Sequence, residues 1–171
     1  MALKLTFLGA GSAFTIGEDN YHSNMLLQKD DDSLLIDAGS DIRFSLNKLH
    51  LTYLDIRNIY ISHLHADHIG GLEWLALTTY FDPRYENKPN LYISEHLVRD
   101  LWEKSLSGGL STLQTEQASL EHFFNVKPLK QHEQFVWQNI PFQLIQAVHV
   151  VNNYQLMPCY GLMFEYNEKY I

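Results

Sequence analysis

Ile61-Ser62-His63-Leu64-His65-Ala66-Asp67-His68 is the stretch whose reading decides the fold. It sets three imidazoles and one carboxylate close together, between positions 63 and 68. On an extended chain His63 and His65 project to the same side, because alternate residues do. The apolar Ile59-Tyr60-Ile61 in front reads as a buried strand, and Ile69-Gly70-Gly71 behind it opens a helix. The cluster therefore sits on a strand-to-helix loop, where a rigid scaffold holds reactive side chains. Neutral imidazole and carboxylate suit borderline divalent metals, zinc first. Solvated loop histidines are the plain alternative. The spacing, the aspartate and the strand in front argue against it. The helical zinc motif His-Glu-x-x-His is absent.

Working outward, Leu3, Leu5 and Phe7 alternate with polar residues, as in a half-buried strand. Met25–Gln28 and Leu34–Ile36 flank the polar turn Lys29–Ser33 and read as a hairpin. Ser40 is placed to cap a helix carrying Ile42, Leu46 and Leu49 on one face. Asn58–Ser62 is the strand before the cluster, and Leu72–Phe81 is a helix stopped before Pro83. Leu91–Ile93 is a short strand. Ser94 caps a helix with Leu97, Leu101 and Trp102, closed by Gly108-Gly109. Residues 110–125, rich in Ser, Thr and Gln, read as a loop or weak helix. Strands follow at Gln134–Trp137, Phe142–Val148 and Cys159–Tyr166, and a turn at Asn167–Lys169 leads into Tyr170-Ile171. Strands mixed with helices, then strands alone, fit an α+β domain of mixed sheets flanked by helices over residues 1–171.

A chain of 171 residues suits one domain with a real core. Its 12 Lys and Arg against 20 Asp and Glu give a net charge of −8, which argues against a broad nucleic-acid footprint. Cys159 is the only cysteine, so an intrachain disulfide is excluded. The start, Met1–Leu5, lacks a signal-peptide apolar core, and no apolar run reaches membrane-spanning length. These features predict a cytoplasmic protein with no membrane partner.

Asp67 is read as an exposed loop carboxylate. Asp37 ends an apolar strand beside Ala38-Gly39. It is either a turn carboxylate or the partner that orients a ligating histidine. His149 follows the strand Phe142–Val148. His22, His50, His96, His122 and His132 are assigned to surface or packing. Gly9-Ala10-Gly11 follows a strand, but Phe14 stands where a dinucleotide loop needs its third glycine. Gly-x-Ser-x-Gly is absent and Cys159 lies in an apolar stretch, so a serine or cysteine nucleophile is not indicated.

Five segments together resemble the metallo-β-lactamase superfamily, and within it the branch of tRNase Z and related phosphodiesterases. They are Leu5–Phe14, Leu34–Gly39, the 63–68 cluster, Ala147–His149 and Tyr160–Glu165. The resemblance implies a sandwich of two mixed β-sheets flanked by helices. It implies up to two ions, zinc or else manganese, iron or nickel. His63, His65 and His149 would hold the first; Asp67 and His68 would begin the second, with Asp37 orienting a ligand and Asp67 also able to orient the attacking water or accept its proton. The family's bridging aspartate and last histidine lie beyond Ile171, so the second site would keep only Asp67 and His68, and the second sheet would be C-terminally truncated. The implied function is hydrolysis of a phosphodiester in RNA or a cyclic nucleotide. A lactonase or thioesterase of the same superfamily is the alternative, as is a catalytically silent metal-binding half. An open second sheet also predicts a homodimer.

Overall fold

The computed structural model describes residues 2–15, 20–131, 133–151 and 156–171; His132 lies outside them. Its first sheet runs β1 (Lys4–Phe7), β2 (Met25–Lys29), β3 (Asp32–Ile36), β4 (Asn58–Ile61), β5 (Asn90–Ser94) and β6 (Asn125–Leu129), in that spatial order. β1–β2 and β2–β3 pair antiparallel; β3 to β6 pair parallel. The second sheet is β10 (Lys169–Tyr170), β9 (Leu156–Tyr166), β8 (Ile140–Val151) and β7 (Gln134–Trp137), paired antiparallel. The helices are α1 (Ile42–Lys48), α2 (Ala66–Ile69), α3 (Leu72–Phe81), α4 (Glu95–Leu101), α5 (Ser107–Leu110) and α6 (Leu120–Phe123). This is the α+β two-sheet sandwich with helices that the sequence predicts.

Period-two alternation assigns the faces. Parallel register sets Ile59 beside Leu91 and Ile61 beside Ile93, while Tyr60 sits beside Tyr92 on the opposite face. The tyrosine face meets the second sheet. Phe135 stacks on both Tyr60 and Tyr92, at 6.3 and 4.6 Å between ring centroids, and on Phe142 at 5.1 Å. The buried Tyr60 hydroxyl donates to the Tyr160 carbonyl at 2.7 Å, tying β4 to β9. Burial drives the Tyr60 phenol far above its ordinary range, so it remains a donor. Phe135→Ala should therefore cost about 3–5 kcal/mol, read as a fall in the urea midpoint at unchanged slope.

A ladder of amides pins the parallel register. Asn58 donates to Asp32 Oδ1 at 2.9 Å, Asn90 to the Asn58 side-chain carbonyl at 2.9 Å, and Asn125 to that of Asn90 at 2.7 Å. Trp137 Nε1 donates to Asp32 Oδ2 at 2.9 Å, so the same carboxylate holds the second sheet.

The structure corrects four local readings. Asp41, not Ser40, is the N-cap of α1. Gly108-Gly109 lie inside α5 rather than closing α4. A Cβ at Gly109 would fall 2.4 Å from the Glu73 carboxylate, so the glycine leaves room for that side chain. Between α4 and α5 the helix widens into a π-helical turn, Trp102–Leu106. The 110–125 stretch holds the short α6, as the weak-helix reading allows, but then leads directly into β6, a strand that reading omits. Pro128 masks that strand in the sequence; an edge position tolerates it.

Candidate metal centre

β3 and β4 end side by side, and the site is built on the turns that follow them. The Asp37 amide donates to the Tyr60 carbonyl at 2.8 Å, and the Ala38 amide donates to the His68 carbonyl at 2.7 Å. Gly39 is compulsory: a Cβ there would lie 2.2 Å from the Asp67 carbonyl oxygen. The turn after β3 thus braces the 63–68 loop directly.

His63, His65 and His149 converge. Nε2 of His63 lies 3.1 Å from Nδ1 of His65, and Nε2 of His149 lies 3.2 Å from that same Nδ1. The ligand atoms of all three lie within 4.8 Å of one another. Around a tetrahedral zinc with bonds near 2.0–2.1 Å, neighbouring nitrogens stand about 3.3 Å apart. The His63–His65 and His149–His65 spacings match that value, and a small closing of the remaining pair would complete a site for one ion. His149 reaches the site from the second sheet, where the β8–β9 register shifts by one residue between Val148 and Val151. A bulge of that kind re-aims a side chain at a strand's end.

Asp37 organises the cluster. It is buried at 4% exposure and sits in the left-handed backbone region at φ 62°. It accepts the Ser62 amide at 2.8 Å and the Ser62 hydroxyl at 2.7 Å, and pairs with His68 Nδ1 at 2.7 Å. The Ser62 hydroxyl lies 2.9 Å from His63 Nδ1. One carboxylate thus steers two imidazoles. Fixing Nδ1–H of His68 leaves its Nε2 free as a ligand.

Asp67 departs from the expected exposed loop carboxylate: it is 8% exposed, in the first turn of α2. Its Oδ2 lies 3.5 Å from His68 Nε2, and its buried Oδ1 has no hydrogen-bond partner. A buried, unsatisfied carboxylate oxygen costs free energy unless a cation compensates it. That orphan, beside a free imidazole nitrogen, fits a second ion. The His68 ring lies 4.0 Å from that of His63, so the pair borders the triad.

The electrostatics divide the imidazoles. Burial, with His68, His149 and His65 nearby, lowers His63 to about 3, so it stays a neutral ligand. Burial alone would lower His68 as well. Its hydrogen bond to Asp37, with the charges of Asp37 and Asp67, outweighs burial and raises it.

Beside His65 opens a cleft of about 570 Å³, with His96, Asp100 and Lys104 on one wall and Val150, Met157 and Pro158 on the other. Sequence reading had assigned His96 to surface or packing; only the folded chain sets it near the cluster. His22 packs by Gly39, with Nδ1 3.3 Å from Asp41 Oδ1, and His122 accepts the Ser119 amide at the start of α6.

A family model described as Anti-Pycsar protein Apyc1 matches residues 3–171. The chain belongs to the Apyc1 family. An Apyc1 protein of Paenibacillus harenae is 37% identical over 163 residues, covering 95% of this chain and 64% of that protein. One from Bacillus phage vB_BsuM-Goe3 is 36% identical over 153 residues, covering 86% and 58%. The chain thus spans about three fifths of the length of these Apyc1 relatives. The fold is that of the metallo-β-lactamases. Zn²⁺-bound PqqB of Methylobacterium extorquens aligns with TM-score 0.71 at 13% identity, covering 97% of this chain and 62% of that one. The short form of human tRNase Z aligns with TM-score 0.67 at 21% identity, covering 97% and 66%.

Proposed function

We propose that this protein is a metal-dependent phosphodiesterase that opens cyclic mononucleotides. The observation that carries the reading is His65, which both joins the His63–His149 triad and forms part of the cleft wall. A scissile phosphate at the triad would have its nucleoside in a cleft of mononucleotide size; ligand pockets run about 300–1,000 Å³. The net charge of −8 opposes a long polyanion more than a single phosphate, so a cyclic nucleotide is favoured over RNA. The family description, Anti-Pycsar protein Apyc1, and the phosphodiester-processing neighbour tRNase Z support the hydrolytic reading.

His63, His65 and His149 would hold one ion, zinc or manganese first, with Asp67 and His68 beginning a second site. Ions bound there would supply Lewis acidity and lower the pKa of water toward neutrality. Asp37 and Ser62 hold His63 and His68 in their tautomers. Asp67 orients the attacking water and takes its proton. Water adds across one P–O ester bond of the ring: its oxygen and one proton stay on phosphorus as the phosphate monoester, and the proton taken by Asp67 passes to the freed ribose oxygen. The test loads the protein with Mn²⁺ or Zn²⁺ and follows ring opening of cyclic mononucleotides by phosphorus NMR. Turnover of bis-p-nitrophenyl phosphate with cyclic nucleotides left intact would reject this substrate class.

We also propose that the chain works as a homodimer. Val148 and Val151 are 72% and 65% exposed near the end of β8, an apolar surface of the second sheet that a second copy could cover. Light scattering at micromolar concentration should give twice 19.9 kDa. A well-folded monomer would overturn this. No helix among the described residues is long and apolar enough to cross a membrane.

A further inference from the structure

His96, Asp100 and Lys104 stand four residues apart on α4 and the π-helical turn after it, and all three line the cleft. In a regular α-helix, positions four apart drift by about 40° around the axis, so a row of three fans away from any one wall. The wider π turn takes back part of that drift after Asp100. The backbone irregularity thus aligns the three side chains along the cleft. π turns of this kind recur at functional sites.

The row carries a defined hydrogen-bonding pattern. Lys104 Nζ donates to Asp100 Oδ2 at 2.6 Å, and Arg99 Nε lies 3.8 Å from Asp100 Oδ1. The lysine keeps further donor capacity and the carboxylate further acceptor capacity. A donor beside an acceptor complements the Watson–Crick edge of a nucleobase, which itself sets a donor beside an acceptor. Across the cleft, Met157 and Pro158 offer apolar cover for the face of a planar ring.

We infer that the Asp100–Lys104 pair positions cyclic mononucleotides by holding the donor–acceptor edge that every nucleobase offers, while the phosphate lies at the histidine cluster. This rests on the cyclic-mononucleotide reading above. Asp100 accepts from the base's amino or imino group, and Lys104 donates to its ring nitrogen or carbonyl. His96, at the head of the row, narrows the cleft.

The experiment compares Lys104→Met and the exchanged pair D100K/K104D with the parent, each loaded with Mn²⁺. Two substrates are used: a cyclic mononucleotide, and bis-p-nitrophenyl phosphate, which has no base. The exchanged pair keeps the i,i+4 ion pair, so a merely structural role for the two residues survives it. The reading is the ratio of kcat/KM for the nucleotide to kcat/KM for the base-free diester. Both variants should lower that ratio by about 10- to 100-fold, mainly through KM, as loss of a hydrogen bond to a charged group implies. An unchanged ratio, or restoration by D100K/K104D, would overturn base recognition while leaving the phosphodiesterase reading standing. A parent that cleaves only the base-free diester would reject both.

Discussion

Protein carrying His63→Ala together with His65→Ala should retain no bound transition metal after purification without chelator. The parent should hold at least one ion per chain. His65 Nδ1 is the centre of the triad, near both His63 Nε2 and His149 Nε2, so no pair of the remaining nitrogens replaces it. Elemental analysis is the measurement, and equal metal content in parent and double variant would sink the assignment. Occupancy should also depend on pH with a definite sign. With His63 lowered to about 3, protons compete only weakly for it over the working range. His68 is raised by Asp37 despite burial, so an ion entering beside Asp67 must displace a proton. The second ion should therefore bind more tightly as pH rises.

Asp67→Asn should lower turnover of bis-p-nitrophenyl phosphate by about 10²-fold or more, the usual contribution of a positioned acid or base. The fold should survive. Asparagine keeps the volume and removes a charge whose Oδ1 is buried without a partner. The metal-free variant should melt no lower than the metal-free parent, because an uncompensated buried carboxylate is a burden on the folded state. Circular dichroism melts of both, with metal content alongside, separate chemistry from folding. Retained turnover would remove Asp67 from the machinery. Loss of turnover with collapse of the melt would make its role structural.

The sequence by itself determined most of the frame. Contiguous apolar runs gave β3, β4 and β5, because parallel strands buried on both faces leave little room for polar residues. The His63–His68 cluster was legible because its spacing is local: two residues apart on extended chain fixes a shared side whatever the rest does. Asp37 was legible as a strand-end carboxylate. That one group holds both Ser62 and His68 needed the fold.

What only tertiary structure decided has one physical cause, contact between residues far apart in the chain. The resemblance already assigned His149 to the site, but its meeting with His65, 84 residues away, depends on the second sheet and the register shift near the end of β8. β6 was hidden by Pro128, since whether a strand is an edge depends on partners and not on its own residues. Asp67 looked exposed because a loop aspartate usually is. It is buried because the turn after β3, with Gly39 leaving room, packs onto its backbone. The π turn that aligns His96, Asp100 and Lys104 leaves no composition signal, because it is a choice of hydrogen-bond partner along a helix whose residues suit either.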